Sequence, residues 1–411
     1  MARRCSTICL PFDQPTYPEL VADPAAFRAA LDRLCLAMPE LFPEGFARGY
    51  RLKESRTSRK LGLRVRRVRL KGTGESFTVR PSFALPYMAG WAADASGPLF
   101  LRAFGVPFWA LAAVFGRDHE YWYRVEVALG RNSVAGTTLR RAGVPEHLLA
   151  DEHHQPRDGI KNYVATTVGA GCCLGAALAQ TAGADDLRDA YEVFKREAQD
   201  VQPGYAPRTV SVDGWASTHQ AWLLLFPLVA LLRCFLHGWL NARSRGKLSE
   251  SFAGLSERVW HAYHAPDRRS FAQRMRRLWE WAKASVSGAW LLEQVQKMCG
   301  RSKEYAQAYS HPGGHRTSNM LDRVMRGMNR YFDSGQHLHG GQEACGRHVR
   351  AWALLSNYRP WHPAAARANG GRRCPAERLN QHRYHDDWLQ NLLASASLGG
   401  YRRRIAPPPT P

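Results

Sequence analysis

The sequence predicts an α+β fold, in which one mixed β-sheet lies between two helical regions. Three apolar segments with strand character follow Pro145 in close succession, and an amphipathic helix and a further strand come after them. The stretches 101–141 and 241–309 instead carry apolar residues at helical spacing. Strands and helices that are grouped in this way along a chain are typical of an α+β architecture.

Charge and cysteine usage narrow the possible partners. Lys+Arg 57 against Asp+Glu 35 gives a net charge of +22, which predicts a polyanionic partner, either a nucleic acid or an anionic membrane surface. The most apolar run, 223–236, is shorter than the roughly 20 residues that span a bilayer and is interrupted by Pro227 and Arg233. Nine cysteines without regular spacing indicate reduced thiols and a cytoplasmic location. We therefore expect a nucleic acid, and no membrane, as the partner.

The N-terminal region is strongly basic. In RLKESRTSRKLGLRVRRVRLK (51–71), the second half alternates apolar residues with arginines, which is typical of a strand with one cationic face. Such a face would suit phosphate groups, and an ordinary solvated strand is the alternative. The candidate DNA-binding residues here are Arg64, Arg66 and Arg67.

A helix-turn-helix region is predicted next. A first helix near Phe108–Phe115 is followed by a second that Asp118 can cap, then by a turn at 130–132 and a short helix with Ser133 as its N-cap. This succession is typical of helix-turn-helix DNA-binding motifs, although ordinary helical hairpins share it. The residues expected to face DNA are Thr137, Thr138, Arg140 and Arg141.

The central sheet is predicted from the order of its segments. HLLADE, NYVATTVG and CCLGAALAQ form three strands, LRDAYEVFKREA an amphipathic helix, and TVSVD a buried fourth strand. Asp151 ends the first strand and Asp213 ends the fourth, and these two strands lie side by side in an RNase H-like domain. Two neighbouring carboxylates repel each other unless cations lie between them. A pair of divalent ions about 4 Å apart, completed by a third acid, would catalyse phosphoryl displacement.

These segments resemble bacterial insertion-sequence transposases of the DDE type. ADEHH (150–154), NYVATTVG and SVDGW (211–215) occur in the expected order, and CFLH (234–237) is similar to the C-x-x-H element of the Mutator-type superfamily. TSNMLDRVMRGMNRYFDSGQHLHG resembles the end of such catalytic domains. The resemblance covers roughly residues 76 to 362. It implies an RNase H-like fold, two Mg²⁺ ions that Mn²⁺ could replace, cleavage and joining of double-stranded DNA at transposon ends, and a homo-oligomer on DNA.

The resemblance also implies a set of site residues. Asp151 and Asp213 correspond to the first two metal ligands, and Asp322 stands where related enzymes have a glutamate. Glu343 is the alternative third acid. Cys234 and His237 are expected beside the active site, although half of a zinc site or a plain buried pair would have the same spacing.

Six regions follow from these predictions. They are a basic N-terminal region (1–75), a helix-turn-helix region (76–145), the first part of an RNase H-like core (146–240), an all-α insertion (241–310), return helices of the core (311–362) and a basic, disordered tail (363–411). Within the insertion, Trp279 and Trp281 are two positions apart, so one of them is expected to be exposed for DNA-end handling; filling of a helical core is the alternative. A catalytically inactive DNA-binding descendant and an RNase H-like nuclease without strand transfer remain alternative functions.

Overall fold

The computed structural model describes residues 5–401 except 60, 248 and 336, with no side chain described at 245. It is a mixed α/β structure with two separate sheets. The arginines at 402–404 and the prolines after them, which the sequence predicts to be a basic tail, lie outside the described residues. Among the described helices, none is long and apolar enough to cross a membrane.

The N-terminal sheet has four strands in the order β1-β4-β3-β2. They are β1 (Thr7–Leu10), β2 (Tyr50–Thr57), β3 (Arg64–Leu70) and β4 (Ser76–Pro81). Two helices, α1 (Tyr17–Ala22) and α2 (Pro24–Ala37), contribute to the core on one face. β4 pairs with β1 and β3, so the boundary expected between residues 75 and 76 falls inside this unit.

Four helices follow the first sheet. They are α3 (Ala92–Arg102), α4 (Phe108–Phe115), α5 (His119–Leu129) and α6 (Val134–Thr138). The predicted caps are confirmed, since the Asp118 carboxylate accepts the Tyr121 amide and the Ser133 hydroxyl accepts the Gly136 amide.

The prediction that α6 presents its side chains to DNA is wrong. Thr137 and Thr138 are fully buried, and the guanidinium of Arg140 donates to three backbone carbonyls inside the protein. Arg141 is directed to the Glu40 carboxylate and to a backbone carbonyl of α2. A turn joins α5 to the short α6, but the C-terminal segment of the chain covers α6, which local spacing does not reveal.

The central sheet has the order β7-β6-β5-β8-β9. Its strands are β5 (His147–Arg157), β6 (Ile160–Gly169), β7 (Cys172–Ala179), β8 (Thr209–Val212) and β9 (Ala230–Arg233), and α7 (Ala184–Val201) and α8 (Ala216–Leu225) lie between them in sequence. β5, β6 and β7 are antiparallel, whereas β8 and β9 are parallel to β5. The predicted mixed sheet, with three antiparallel strands first and the fourth beside the first, is confirmed.

Helices complete the structure on both sides of this sheet. The insertion contains α9 (Phe235–Gly246), α10 (Phe252–Tyr263), α11 (Arg268–Ser285), α12 (Ala289–Gly300) and α13 (Ser302–Ala306); the chain then returns through α14 (Asn319–Asp333) and α15 (Gln342–Tyr358). α7 and α8 share a buried core with one face of the sheet, and α14 and α15 share another core with the opposite face. The sheet therefore lies in the middle of three layers.

Two further predictions need correction. The segment after 362 is not a disordered tail as far as residue 401: it forms α16 (Pro363–Ala368), α17 (Pro375–Asn380) and α18 (Trp388–Ser395), and α18 buries Leu389, Leu392 and Leu393. In the insertion, both Trp279 and Trp281 are partly buried against one helical core, so neither is exposed.

Candidate active site

Asp151 lies in β5, and Asp213 directly follows β8, the strand beside β5. β5 and β8 are paired in parallel with His147 opposite Thr209 and Leu149 opposite Ser211, an offset of 209 − 147 = 62 residues. Asp151 and Asp213 are separated by the same offset, 213 − 151 = 62 residues, so continuing this register places the two acids opposite each other just after β8 ends. β5 itself continues to Arg157, because it pairs with β6 over its whole length. The sequence predicts that Asp151 ends its strand, and this is wrong, because Asp151 lies in the middle of β5.

The third acid comes from α14. Asp322 lies in the first turn of this helix, and the Ser318 hydroxyl lies 3.1 Å from each of its carboxylate oxygens. α14 packs against β5. Glu343 is 81% exposed in the first turn of α15 and pairs with Arg347. Of the two candidates, Asp322 is thus the one that lies near the central sheet acids.

Electrostatics connect the three acids. Burial is the main cause that raises the pKa of Asp151 to about 6, and the charges of Asp213 and Asp322 act in the same direction. Asp151 accepts only the amide of Glu152 as a hydrogen bond among the described contacts, at 2.9 Å. Like charges that are held together in a partly desolvated place disfavour ionisation, which is the condition that a bound cation would relieve.

Asp213 is held by a tight turn. Its Oδ1 accepts the backbone amide of Trp215 at 2.8 Å, and Gly214 between them has φ +98°, a conformation that favours glycine. The Arg233 guanidinium donates to the Gly214 carbonyl and pairs with Glu304 of the insertion. The turn fixes the carboxylate, and the arginine connects it to the helical insertion.

The C-x-x-H pair lies beside these acids, as the resemblance implies. Cys234 follows β9, donates its amide to the Val212 carbonyl, and precedes α9, whose first turn carries His237. Burial would raise the pKa of the Cys234 thiol, but interactions with His237 and Ser318 outweigh it and lower the pKa. The Cys234 thiol raises the pKa of His237 to about 9, and the charges of Asp151 and Asp213 act in the same direction. His237 is therefore a cation next to the carboxylates.

Glu152 is a site residue that the sequence did not identify. It is directed to the opposite face from Asp151, where Tyr191 of α7 and Thr218 of α8 donate to its two oxygens at 2.6 and 2.8 Å. Burial raises the pKa of Glu152 to about 7, and Asp151 and Asp213 add to that effect. Strand alternation could have identified it. Neighbouring residues of a strand point to opposite faces of the sheet, and both faces of β5 are covered, so the acid next to Asp151 lies under a helical layer.

The donor chemistry fits divalent cations. Carboxylate oxygens are the ligands that Mg²⁺ prefers, and Asp151, Asp213 and Asp322 bring three of them within electrostatic range of one another. Within the described part of the chain, no three acidic, histidine or cysteine side chains are already grouped at metal-binding distances. The acids thus have the right chemistry and placement, and ion binding would require their side chains to move closer together.

A groove of about 580 Å³ lies at the β9 edge of the sheet, and Arg233, whose guanidinium donates to the Gly214 carbonyl, is one of its lining residues. β9 and α8 provide an apolar wall, and the helical insertion provides a polar one that includes Arg268 and His311. His219 also lines the groove, and its pKa is lowered by burial and by the charge of Arg233, which outweigh the opposing charge of Asp213. The groove therefore lies along the boundary between the sheet and the insertion.

The three N-terminal arginines have different positions. Arg66 is buried, and its guanidinium donates to the carbonyls of Val21 and Ala22 at the end of α1, at 2.8 and 3.0 Å. It therefore caps a helix and does not contact DNA in this fold. Arg64 is exposed and donates to Ser55, whereas Arg67 lies half-buried on the opposite face of β3.

No family model matches the chain, and no curated protein is significantly similar to it.

Proposed function

We propose that this chain is a DDE-type DNA transposase with an RNase H-like catalytic domain. The observation that carries the proposal is the convergence of three acids from β5, β8 and α14, with Asp213 and Asp322 both acting on the pKa of Asp151. The strand order β7-β6-β5-β8-β9, with the first three strands antiparallel, supports the RNase H-like assignment. The net charge of +22 supports double-stranded DNA as the partner.

The residues of the site have separate roles in metal binding, orientation of the carboxylates and charge stabilisation. Asp151, Asp213 and Asp322 would hold two Mg²⁺ ions, which, when bound, supply activation of the attacking oxygen and stabilisation of the departing one. The Trp215 amide orients Asp213, and the Ser318 hydroxyl orients Asp322. Protonated His237 contributes positive charge where an anionic phosphodiester would approach the carboxylates.

The chemistry is two successive phosphoryl displacements. Water first attacks the phosphorus at the element's end, which breaks the bond to the 3′ oxygen and leaves a free 3′-hydroxyl. That hydroxyl then attacks a phosphorus of target DNA, which breaks the target's bond between phosphorus and the 3′ oxygen, releases a target 3′-hydroxyl and joins the element's end to the target strand. Because joining both ends of an element to one target needs two active sites, the protein would act as a homo-oligomer on DNA, at the nucleoid in the cytoplasm.

The test uses labelled duplexes made from the DNA that flanks the coding sequence. We expect Mg²⁺- or Mn²⁺-dependent nicking that leaves a 3′-hydroxyl, followed by joined products when a plasmid target is added. Nicking without joining would support the nuclease alternative. Binding of the flanking duplexes without nicking in either metal would overturn the catalytic proposal.

One observation favours a second function, a DNA-binding protein that descends from such an enzyme and has lost catalysis. Position 322 carries aspartate, which is one methylene shorter than the glutamate of related enzymes, and the described acids are not yet at metal-binding distance from one another. The variant Asp322→Glu separates the two. A gain of nicking in this variant, from an inactive parent, would support the inactive descendant.

A further inference from the structure

The N-terminal sheet has two faces of different character. Val68 and Leu70 of β3 lie in the core on the face that α1 and α2 cover. On the other face, over β2 and β3, four arginines project: Arg51, Arg56, Arg67 and Arg69. We call this surface the arginine face. Three of these residues are exposed and Arg67 is half-buried.

Strand register places these arginines together. Arg51 is directly opposite Arg69, and Arg56 is opposite Val65, which lies on the same side of β3 as Arg67 and Arg69. Arg51 and Arg56 differ by an odd number of residues, so a regular strand would direct them to opposite faces. A bulge between Leu52 and Ser55 inserts one extra residue into β2 and returns Arg56 to the face of Arg51.

The four arginines of this face have no ion-pair partner within the described chain. No carboxylate among the described residues forms an ion pair with any of the four arginines, and Arg69 donates only to the Gly74 carbonyl. The nearby acid, Glu54, is fully exposed; its pKa is lowered by a backbone hydrogen bond and by the charges of Lys53, Arg56 and Arg67. Like charges directly opposite each other, such as Arg51 and Arg69, destabilise a sheet. The arrangement therefore implies an anionic partner from outside the chain.

We propose that the arginine face binds the phosphate backbone of duplex DNA, an inference that rests on the proposed function for the choice of polyanion. Guanidinium groups bind phosphate oxygens in a bidentate manner, and a two-stranded ribbon such as β2–β3 fits the major groove. β2 is the edge strand of its sheet, so the ribbon is accessible from the side. We therefore expect the arginine face to bind DNA in place of α6, whose side chains are buried.

A membrane surface fits less well. Binding to anionic lipid is strengthened by apolar side chains that enter the bilayer interface. The large apolar side chains that are exposed in the described chain, such as Trp109, Val114 and Leu228, all lie outside β2 and β3. A surface with cations alone is typical of backbone contacts to nucleic acid.

The experiment measures binding of a fluorescein-labelled 30-base-pair duplex of random sequence to the full chain by anisotropy. EDTA is present, and the NaCl concentration is varied. In the variant with Arg51, Arg56, Arg67 and Arg69 all changed to Gln, affinity should fall at least about tenfold, and the slope of log K against log[NaCl] should decrease by about 0.9 for each phosphate that is no longer bound. Arg69→Gln alone should lower the slope by about one.

The matched control is Arg33→Gln, which removes an exposed arginine from α2 on the covered side of the same sheet. Its affinity and slope should equal those of the wild type. Equal losses in Arg33→Gln and Arg69→Gln, an unchanged slope in the fourfold variant, or tighter binding to phosphatidylglycerol vesicles than to the duplex would each overturn the proposal. If the fourfold variant does not fold, as judged by thermal unfolding, Arg69→Gln and Arg33→Gln decide the matter.

The catalytic proposal can fail without this one. The binding assay contains EDTA, so its outcome does not depend on metal-assisted nicking. If the protein binds the duplex through these arginines but never nicks DNA, the proposal for the arginine face is supported and the catalytic proposal is contradicted.

Discussion

The pKa values of two buried carboxyl groups of this protein are shifted in opposite directions. Glu126 of α5 is fully buried among α3, α14 and α15, where Arg102 Nε lies 3.2 Å and His348 Nε2 2.8 Å from its oxygens. Burial alone would raise the pKa of Glu126, but Arg102 and His348 outweigh it and lower the pKa. At the central sheet, burial and the charges of Asp213 and Asp322 raise the pKa of Asp151, and the opposing charge of His237 does not outweigh them.

The difference separates a structural charge from a functional one. A buried carboxylate with cationic partners holds elements together, and its chemistry is already satisfied. A desolvated carboxylate with acidic neighbours is held in an unfavourable electrostatic state by the rest of the fold, which is typical of active sites. The contrast predicts that changes at Asp151 and its neighbours affect catalysis, whereas changes at Glu126 affect stability.

The largest expected effect is on cleavage by Asp213→Asn. This change keeps the shape and the Trp215 contact but removes a negative charge from the site that would hold the cations. We expect loss of several kcal/mol of transition-state stabilisation, and therefore a rate lower by orders of magnitude. Nicking of flanking-DNA duplexes in Mg²⁺ and Mn²⁺ measures it, with thermal unfolding as the control. Full activity would falsify the catalytic assignment of this residue.

The second prediction concerns the third acid. Asp322→Asn should lose nicking as Asp213→Asn does, because Asp322 lies within electrostatic range of Asp151. Glu343→Gln is the matched control, since Glu343 is exposed and pairs only with Arg347 one turn away among the contacts described. It should keep the wild-type rate. The reverse result, with activity lost only in Glu343→Gln, would move the third position and leave the first two in place.

The third prediction concerns stability. Glu126→Gln leaves the buried Arg102 without its carboxylate, and breaking such a pair costs about 3 to 5 kcal/mol. Glu120→Gln on the same helix removes an exposed i,i+4 partner of Arg124 and should cost at most about 0.5 kcal/mol. Urea unfolding measures both. Similar free energies of unfolding for the two variants would show that the buried pair contributes no more than a surface pair.

The pH dependence of the same pair has a definite sign. Because the pKa of Glu126 is lower in the folded state than its ordinary value of 4.5, the stabilisation is complete above that value. It is lost as the pH falls through the folded-state pKa. The difference in unfolding free energy between wild type and Glu126→Gln should therefore be constant near neutral pH and shrink below about 4.5. A difference that grew on acidification would contradict the direction of the shift.

The sequence predicted the parts of the molecule that local pattern determines. The succession of strands follows from segments that alternate or run apolar, and the caps at Asp118 and Ser133 follow from local hydrogen bonds. The expectation that the strands of Asp151 and Asp213 adjoin came from the strand order of an RNase H-like domain. It failed where distant segments meet. Nothing near α6 indicates that residues far along the chain, as distant as Ser397, cover Arg140, and nothing near β3 indicates that Arg66 caps α1.

The smallest predicted effect is that of Tyr191→Phe, which tests whether the buried Glu152 has a functional role in addition to a structural one. Glu152 shares β5 with Asp151 but is hydrogen-bonded from the other layer, so Tyr191→Phe removes one of its two donors. Tyr205→Phe is the control: its hydroxyl donates at 2.6 Å to the Pro145 carbonyl, away from the acids. Each change should cost about 1 kcal/mol of stability in urea unfolding, because one buried hydrogen bond is removed. Only Tyr191→Phe should also slow nicking, by a few-fold, since it loosens the strand position next to Asp151. If both variants nick DNA at the wild-type rate, Glu152 only fastens α7 and α8 to the sheet, and the functional role of buried charge is confined to the three aspartates.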